Sequence, residues 1–365
     1  MPRAATTSDR PAGQRRPAWT LALLAIVLAA CTPSAPPRTE QLLVFGTTVD
    51  IELRDAPPEQ AQAALTQIAV LLNRREREWH AWENSDITRI NAALAAGRAA
   101  EAPASVIALV ERSQQLSQAS DGLYDPAIGG LIGAWGFHTS AYPVLTPAPT
   151  REWLDAWRSS RPRIVDLDIR GSQLSTRNRR MQLDFAAIAE GAAAESVLGI
   201  LREHRIRHAL VSMGGDVVAL GDGDGAPWQV AVRDPFEGIL AGVELRDGEA
   251  LFSTGNYSKF RESPTGSRWS HILDPRTGYP ARGAAAVVVL HTDPVLADAA
   301  ATALFVGGPA GFERLVRALR LGCAVMVTEE NELLVTSAMK QRLTMLRDPV
   351  PLGAPLDMGE GCSGR

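Results

Sequence analysis

From Leu42 to Leu53 the chain alternates, placing Leu43, Phe45, Thr47, Val49, Ile51 and Leu53 on one face, and that period of two predicts a half-buried strand. Gly46 inside it marks a point where another group can approach the backbone. Past Pro57-Pro58 the period changes. Leu65, Ile68, Ala69, Leu72 and Trp79 recur at helical spacing among polar residues, predicting a long amphipathic helix laid on a sheet. A second helix is predicted from about Ala104 to Ala119, closed at Asp121-Gly122, where glycine takes the left-handed cap. The run Leu123 to Phe137 holds four glycines and no regular period, and reads as a shaped loop outside the core.

Further on, Tyr142 to Arg161 is Pro-rich and then predicts a short helix carrying Trp153 and Trp157. Ile164 to Leu167 and Met181 to Asp184 read as strands around a polar turn, the second feeding an Ala-rich helix that runs towards His204. Ala209 to Val217 is a strand broken by Gly214-Gly215, a bulge or a turn. Leu251 to Tyr257 and Val287 to Leu290 read as buried strands, followed by helices around Asp298 and from Phe312 to Leu321 and strands at Ala324 to Val327 and Leu333 to Val335. No internal repeat and no linker divides the body, so the expected architecture is one α+β domain of mixed sheets with packed helices.

Composition narrows the classes. At 365 residues, 45% hydrophobic and a net charge of −4, the chain can fill a sizeable core and offers no basic surface for nucleic acid. Arg15 and Arg16 precede an apolar run, Ala18 to Ala30, shorter than the roughly 20 residues of a spanning helix, which marks an export signal. The run ends in Leu28-Ala29-Ala30-Cys31, which resembles the lipobox of bacterial lipoproteins. The expected organisation is a signal peptide over 1–30, lipidated Cys31 and a Pro-rich tether over 31–40, the catalytic-type domain over 41–346, and a loosely held tail over 347–365. That places the body in the bacterial envelope, facing the periplasm and anchored to a membrane through lipid. An envelope location permits a Cys323–Cys362 disulfide; a buried free thiol at Cys323 is the other reading. No Cys/His cluster has zinc spacing.

Candidate chemistry gathers in three places. His271 and Asp274 sit three residues apart at the edge of an Asp-Pro…Thr-Gly turn. Asp298 and Thr302 stand i, i+4 in an Ala-rich helix, so both oxygens share one face, a hard-oxygen pair of the kind Mg²⁺ takes; a dipole-complementing Asp with a back-bonded Thr is the structural alternative. Asp184 to Gly191 is a strand-turn-helix of small residues that can cradle phosphate, with Ala187 offering a backbone carbonyl. Trp135 and Phe137 offer flat faces for an aromatic ligand, or plug their loop onto the core.

Taken in order, Phe45-Gly46-Thr47, Ser85 to Asn91, Gly122 to Asp125, Trp135-Gly136-Phe137, Asp184 to Gly191, Gly214-Gly215-Asp216, Ser253 to Tyr257, His271 to Gly278 and Asp298 to Thr302 resemble the FAD:protein FMN transferase family, the ApbE-like lipoproteins. The resemblance implies a Mg²⁺-dependent reaction that moves the FMN half of FAD, the substrate, onto a Thr or Ser hydroxyl of a target protein and releases AMP. It implies metal ligation by Ala187, Asp298 and Thr302, an FAD site lined by Phe45, Trp82, Trp135, Gly136, Phe137, Asp184, Glu190 and Ile272, and His271 as general base. Hydrogen bonding by His271 with Asp274 or metal-bound water as base is the competing assignment. Ala127 and Gly130 depart from the frequent Thr and Pro, Glu190 from a frequent Lys, and Glu195 from a frequent Asp. Hydrolysis of FAD to FMN and AMP, or storage of FAD without catalysis, are the alternative functions. Acceptor identity, inner or outer membrane, and oligomeric state are not encoded legibly.

Overall fold

Alternation builds the first strands, but not in one piece. In the computed structural model, which describes Met1 and residues 36–257, 259–262, 266, 268–359 and 361–362, Arg38–Val44 pairs antiparallel with Thr47–Arg54. Phe45 (φ 56°) and Gly46 (φ 68°) form the two-residue turn between them, where positive φ matches the twist of a hairpin. Pairing Val44 with Thr47 exchanges parity across the turn: Val44 faces the core with Val49, Ile51 and Leu53, whereas Leu43 is 79% exposed. The folded unit begins at Pro37, so residues 38–40, expected in the tether, are strand. Almost all of the expected signal peptide, and Cys31, lie outside the described residues.

The hairpin forms one edge of a nine-stranded sheet that continues through His208–Met213, Asp216–Leu220, Ala250–Gly255, Ala284–His291, Cys323–Thr328, Glu332–Val335 and Val350–Pro351. Only the last pair is parallel. Ala284–His291 is buried at every position, because both faces of the sheet are covered. Val287 and Val289 join a core with Ile68, Leu72, Leu201 and Leu304 from the helices Pro58–Trp79, Ala186–Glu203 and Pro294–Ala318. Val288 and Leu290 meet Trp228, Val243 and Leu245 of a three-stranded sheet, Trp228–Arg233, Ile239–Leu245 and Leu343–Met345. The mixed α+β class is the one expected.

Local corrections have physical causes. Leu123 to Phe137 is core, not an outlying loop: it contains the helix Gly129–Ala134, and Leu123, Tyr124, Leu131, Trp135 and Phe137 are all buried. Its glycines serve close approach. Gly129 N–H donates to the Gln182 carbonyl at 2.8 Å, and a Cβ there would lie 2.8 Å from that oxygen. Asp86–Ala95 is a helix, opened by a reciprocal Ser85/Thr88 cap. Ile164–Asp166 is a 3₁₀ turn, and Met181 to Asp184 makes a single bridge instead of a strand. The Gly214-Gly215 break is a hairpin turn between His208–Met213 and Asp216–Leu220. The helix expected at 312–321 is the second half of Pro294–Ala318, which kinks at Gly308 (φ 61°) before Pro309.

The tail is not loose over its described part. Leu352 N–H donates to the Leu333 carbonyl at 2.8 Å, Leu356 N–H to the Val335 carbonyl at 2.9 Å, and Cys362 is disulfide-bonded to Cys323 across 39 residues. Cys362→Ser is expected to destabilise the chain by about 2–4 kcal/mol through the freed loop. Thermal melts with and without thiol reductant check it: the reductant should lower the parent's Tm and leave the variant's unchanged.

Candidate functional site

Asp298 enters the site because its helix is well started, with Pro294 in the first turn and the Asp293 carboxylate accepting from Leu296 N–H at 2.9 Å. Its neighbour across the interface is the kinked start of Ala186–Glu203, where Ala187 leaves helical geometry (φ −86°, ψ 16°). An unbroken helix would send Gly191 N–H to the Ala187 carbonyl. Here that N–H donates to Asp298 Oδ2 at 2.9 Å. The departure of Ala187 from helical geometry accompanies this rerouted bond, and the Oδ1 of Asp298 has no hydrogen-bond partner among the described residues. Thr302 Oγ1 lies 3.4 Å from Thr254 Oγ1.

This contact depends on Gly191, where a Cβ would stand 2.5 Å from the Pro294 carbonyl oxygen and 2.9 Å from Asp298 Cβ. Gly191→Ala is expected to cost about 3 kcal/mol by forcing the two helices apart. Urea unfolding measures the loss, and a parent-like midpoint would mean that the helices yield at no cost.

The electrostatics are those of a crowded anionic nest. Burial, then the Glu190 carboxylate, pushes Asp298 well above the ordinary carboxylate range, against the Gly191 hydrogen bond. Asp216 is raised for the same reasons and by Asp298, although Ser253 donates to its Oδ1 from N–H at 2.7 Å and from Oγ at 3.1 Å. Burial lifts Glu190 to about 7, and Lys259 pulls it back. Among the described residues no three His, Cys, Asp or Glu side chains form a metal-binding group. A mixed set of one carboxylate, one hydroxyl and one carbonyl is nevertheless the hard-oxygen chemistry that a divalent cation takes while keeping positions for water or phosphate.

His271 follows the short strand Arg268–Ser270, which pairs with Phe260–Glu262. Its Nδ1 lies 3.0 Å from the Lys259 carbonyl, and a carbonyl only accepts, so Nδ1 carries the proton and Nε2 keeps its lone pair. Burial, then the Lys259 charge, lowers His271 to about 4. Asp274 is unavailable as a base: Arg276 grips both of its oxygens, at 3.0 and 2.8 Å, and Arg276 N–H adds a third contact at 2.8 Å.

Aromatic groups flank these residues. Phe45 stacks on Trp79 (6.1 Å between ring centres), and Phe137 meets His271 edge-on at 6.3 Å. Trp82, 41% exposed, lies flat on His138 at 5.2 Å, and His138 Nε2 donates to Asp184 Oδ2 at 3.1 Å. Trp135 is 1% exposed, with its indole N–H on the Gly278 carbonyl at 2.8 Å and its ring against Trp269 and Tyr279. It plugs the core and has no face free for a ligand. Gly136 (φ 81°) makes the turn beside it, and Ile272 is buried in the helix-side core. The surface recesses along Ala104–Ala119, lined by Ile107, Glu111 and Gln114, hold none of this chemistry.

Residues 45–327 match the model of the ApbE family. The chain belongs to the ApbE family. A Rhodobacter capsulatus relative named FAD:protein FMN transferase is 37% identical over 323 residues, which are 88% of this chain and 61% of that protein, so the chain spans less than two thirds of it. Among solved ApbE structures, a Thermotoga maritima protein superposes with a TM-score of 0.76 at 25% identity, over 84% of this chain and 99% of that one. The Pseudomonas stutzeri flavinyl transferase ApbE in its apo form gives 0.74 at 28% identity, over 86% and 98%. Within this ApbE fold, sequence reasoning missed Lys259, the Asp216–Ser253 pair and His138. A histidine directly after Trp135-Gly136-Phe137 was the available signal for the last.

Proposed function

We propose that this chain is an FAD:protein FMN transferase. The observation that carries the reading is the kinked helix start bonded to Asp298, one turn from Thr302, and linked through the charges of Glu190 and Lys259 to a histidine whose Nε2 has no hydrogen-bond partner among the described residues. FAD binds with its pyrophosphate towards the Ala187 kink. The acceptor Thr or Ser Oγ attacks the FMN phosphorus in line, its P–O bond forms as the P–O bond to AMP breaks, and the hydroxyl proton passes to His271 Nε2. A Mg²⁺ held by the Ala187 carbonyl, Asp298 and Thr302 would neutralise phosphate charge. The anionic nest supports a resident cation, since Glu190 raises buried Asp298 and both raise Asp216.

The same reading includes lipidation at Cys31 and a periplasm-facing body on the envelope membrane. The Cys323–Cys362 disulfide agrees with an oxidising compartment. Incubation of the folded body with FAD, Mg²⁺ and candidate acceptor proteins, followed by in-gel flavin fluorescence, tests the activity. A fluorescent acceptor band is expected. Release of FMN and AMP with no band would make the protein a hydrolase, and unchanged FAD would make it a binding protein.

A further inference from the structure

We infer that His138 is a positioning residue for the substrate: pinned by Asp184, it braces the exposed Trp82 indole as a fixed wall for a flat heteroaromatic ring of FAD. This rests on the transferase reading and adds a residue to it. Asp184 was expected to meet FAD directly. Its side chain is buried, with Oδ1 accepting from Ala186 N–H at 3.0 Å and Oδ2 from His138 at 3.1 Å, so each oxygen has one protein partner. Asp184 thereby fixes the ring of His138, which faces Trp82.

The imidazole is held on three sides. Asp184 takes its Nε2; Trp82 lies on its face at 5.2 Å and 17° between planes; and Gly133 lies beneath, where a Cβ would come 3.0 Å from Nδ1. Glycine at 133 is what lets the ring seat so close. Trp82 is fixed in turn, because His80 accepts from Glu83 N–H at 3.0 Å and packs edge-on against the indole at 4.4 Å. The array continues into the reacting centre, since Phe137, next in the chain, touches His271. An indole left 41% exposed yet flanked by two imidazoles has its neighbours in place before any ligand arrives, which is what a stacking platform requires.

The test is steady-state flavin transfer by the full folded body with FAD, Mg²⁺ and an acceptor protein, for His138→Ala, Trp82→Ala, the double variant and His138→Phe. His138→Ala and Trp82→Ala should each raise KM for FAD about tenfold with kcat within about twofold, and the double variant should be no worse than either alone. His138→Phe keeps a flat ring under Trp82 and should recover part of the loss, which also guards against a variant that merely folds poorly. Fluorescence titrations with FMN and with AMP identify the ring: the one whose affinity falls in His138→Ala is the one stacked on Trp82. A parent-like KM in His138→Ala, additive effects in the double variant, or a fall in kcat at constant KM would overturn the inference. A parent chain that binds no FAD would overturn the transferase reading along with it.

Discussion

Asp298→Ala is expected to lower flavin transfer by about 10³-fold or more while FAD binding stays measurable. The reasoning runs through charge. Breaking a pyrophosphate requires neutralising negative charge that grows on the leaving AMP, and the groups around Asp298 are themselves acidic: Glu190 raises Asp298, and both raise Asp216. Asp298 is the one of the three placed one helical turn from a hydroxyl, Thr302, and bonded to Gly191 N–H in the first turns of the kinked helix. Without it a cation would lose the one charged ligand of the proposed set, whereas the aromatic surfaces around Trp82 and Phe45, proposed to hold FAD, are unchanged. Alanine also orphans the buried Gly191 N–H, so a second variant is needed. Asp298→Asn keeps an oxygen for that N–H and should be nearly as inactive with parent-like thermal stability. Covalent flavin fluorescence on the acceptor measures the rate, and equal rates for parent and Asp298→Asn would remove the carboxylate from the mechanism.

What could be read beforehand follows a physical line between local and distant order. The i, i+4 relation of Asp298 and Thr302 is intrinsic to a helix, so Ala-rich sequence alone placed both on one face. The bond from Gly191 to Asp298 joins residues 107 apart, and no periodicity encodes it. Likewise His138 and Asp184 are 46 residues apart, and the reason for Gly133 is visible only once the imidazole is seated over it. Alternation through Leu43 and Phe45 was misleading for a different cause: a two-residue turn exchanges the buried parity, and a non-glycine residue at positive φ gives little warning of it. Trp135 was ambiguous because an indole stacks on a ligand or fills a core with equal ease, and the Gly278 carbonyl that decides between them lies 143 residues away.

His271→Ala is expected to slow transfer by about 10² to 10⁴-fold, and the pH profile identifies the reason. The free imidazole would titrate at its ordinary value of 6.5, giving a rate that rises between about pH 6 and 8. Burial, then Lys259, moves it to about 4, with the hydrogen bond to the Lys259 carbonyl only partly opposing them. The sign is fixed by which form works. In the proposed reaction neutral Nε2 accepts the acceptor's proton, so activity should be present above the lowered value and lost as pH falls through it. Because kcat/KM reports the free enzyme, the His271 contribution to the parent profile should be flat between about pH 6 and 8 and descend only as the pH approaches about 4, whereas Glu190, raised to about 7, titrates inside that window in parent and variant alike. A base lowered this far is unprotonated at neutral pH but weak, so it suits a proton that leaves late, as the P–O bond forms and the hydroxyl is most acidic. Loss of that descending limb in His271→Ala would accompany the slower rate, whereas an intact limb in the variant would assign the base to another group.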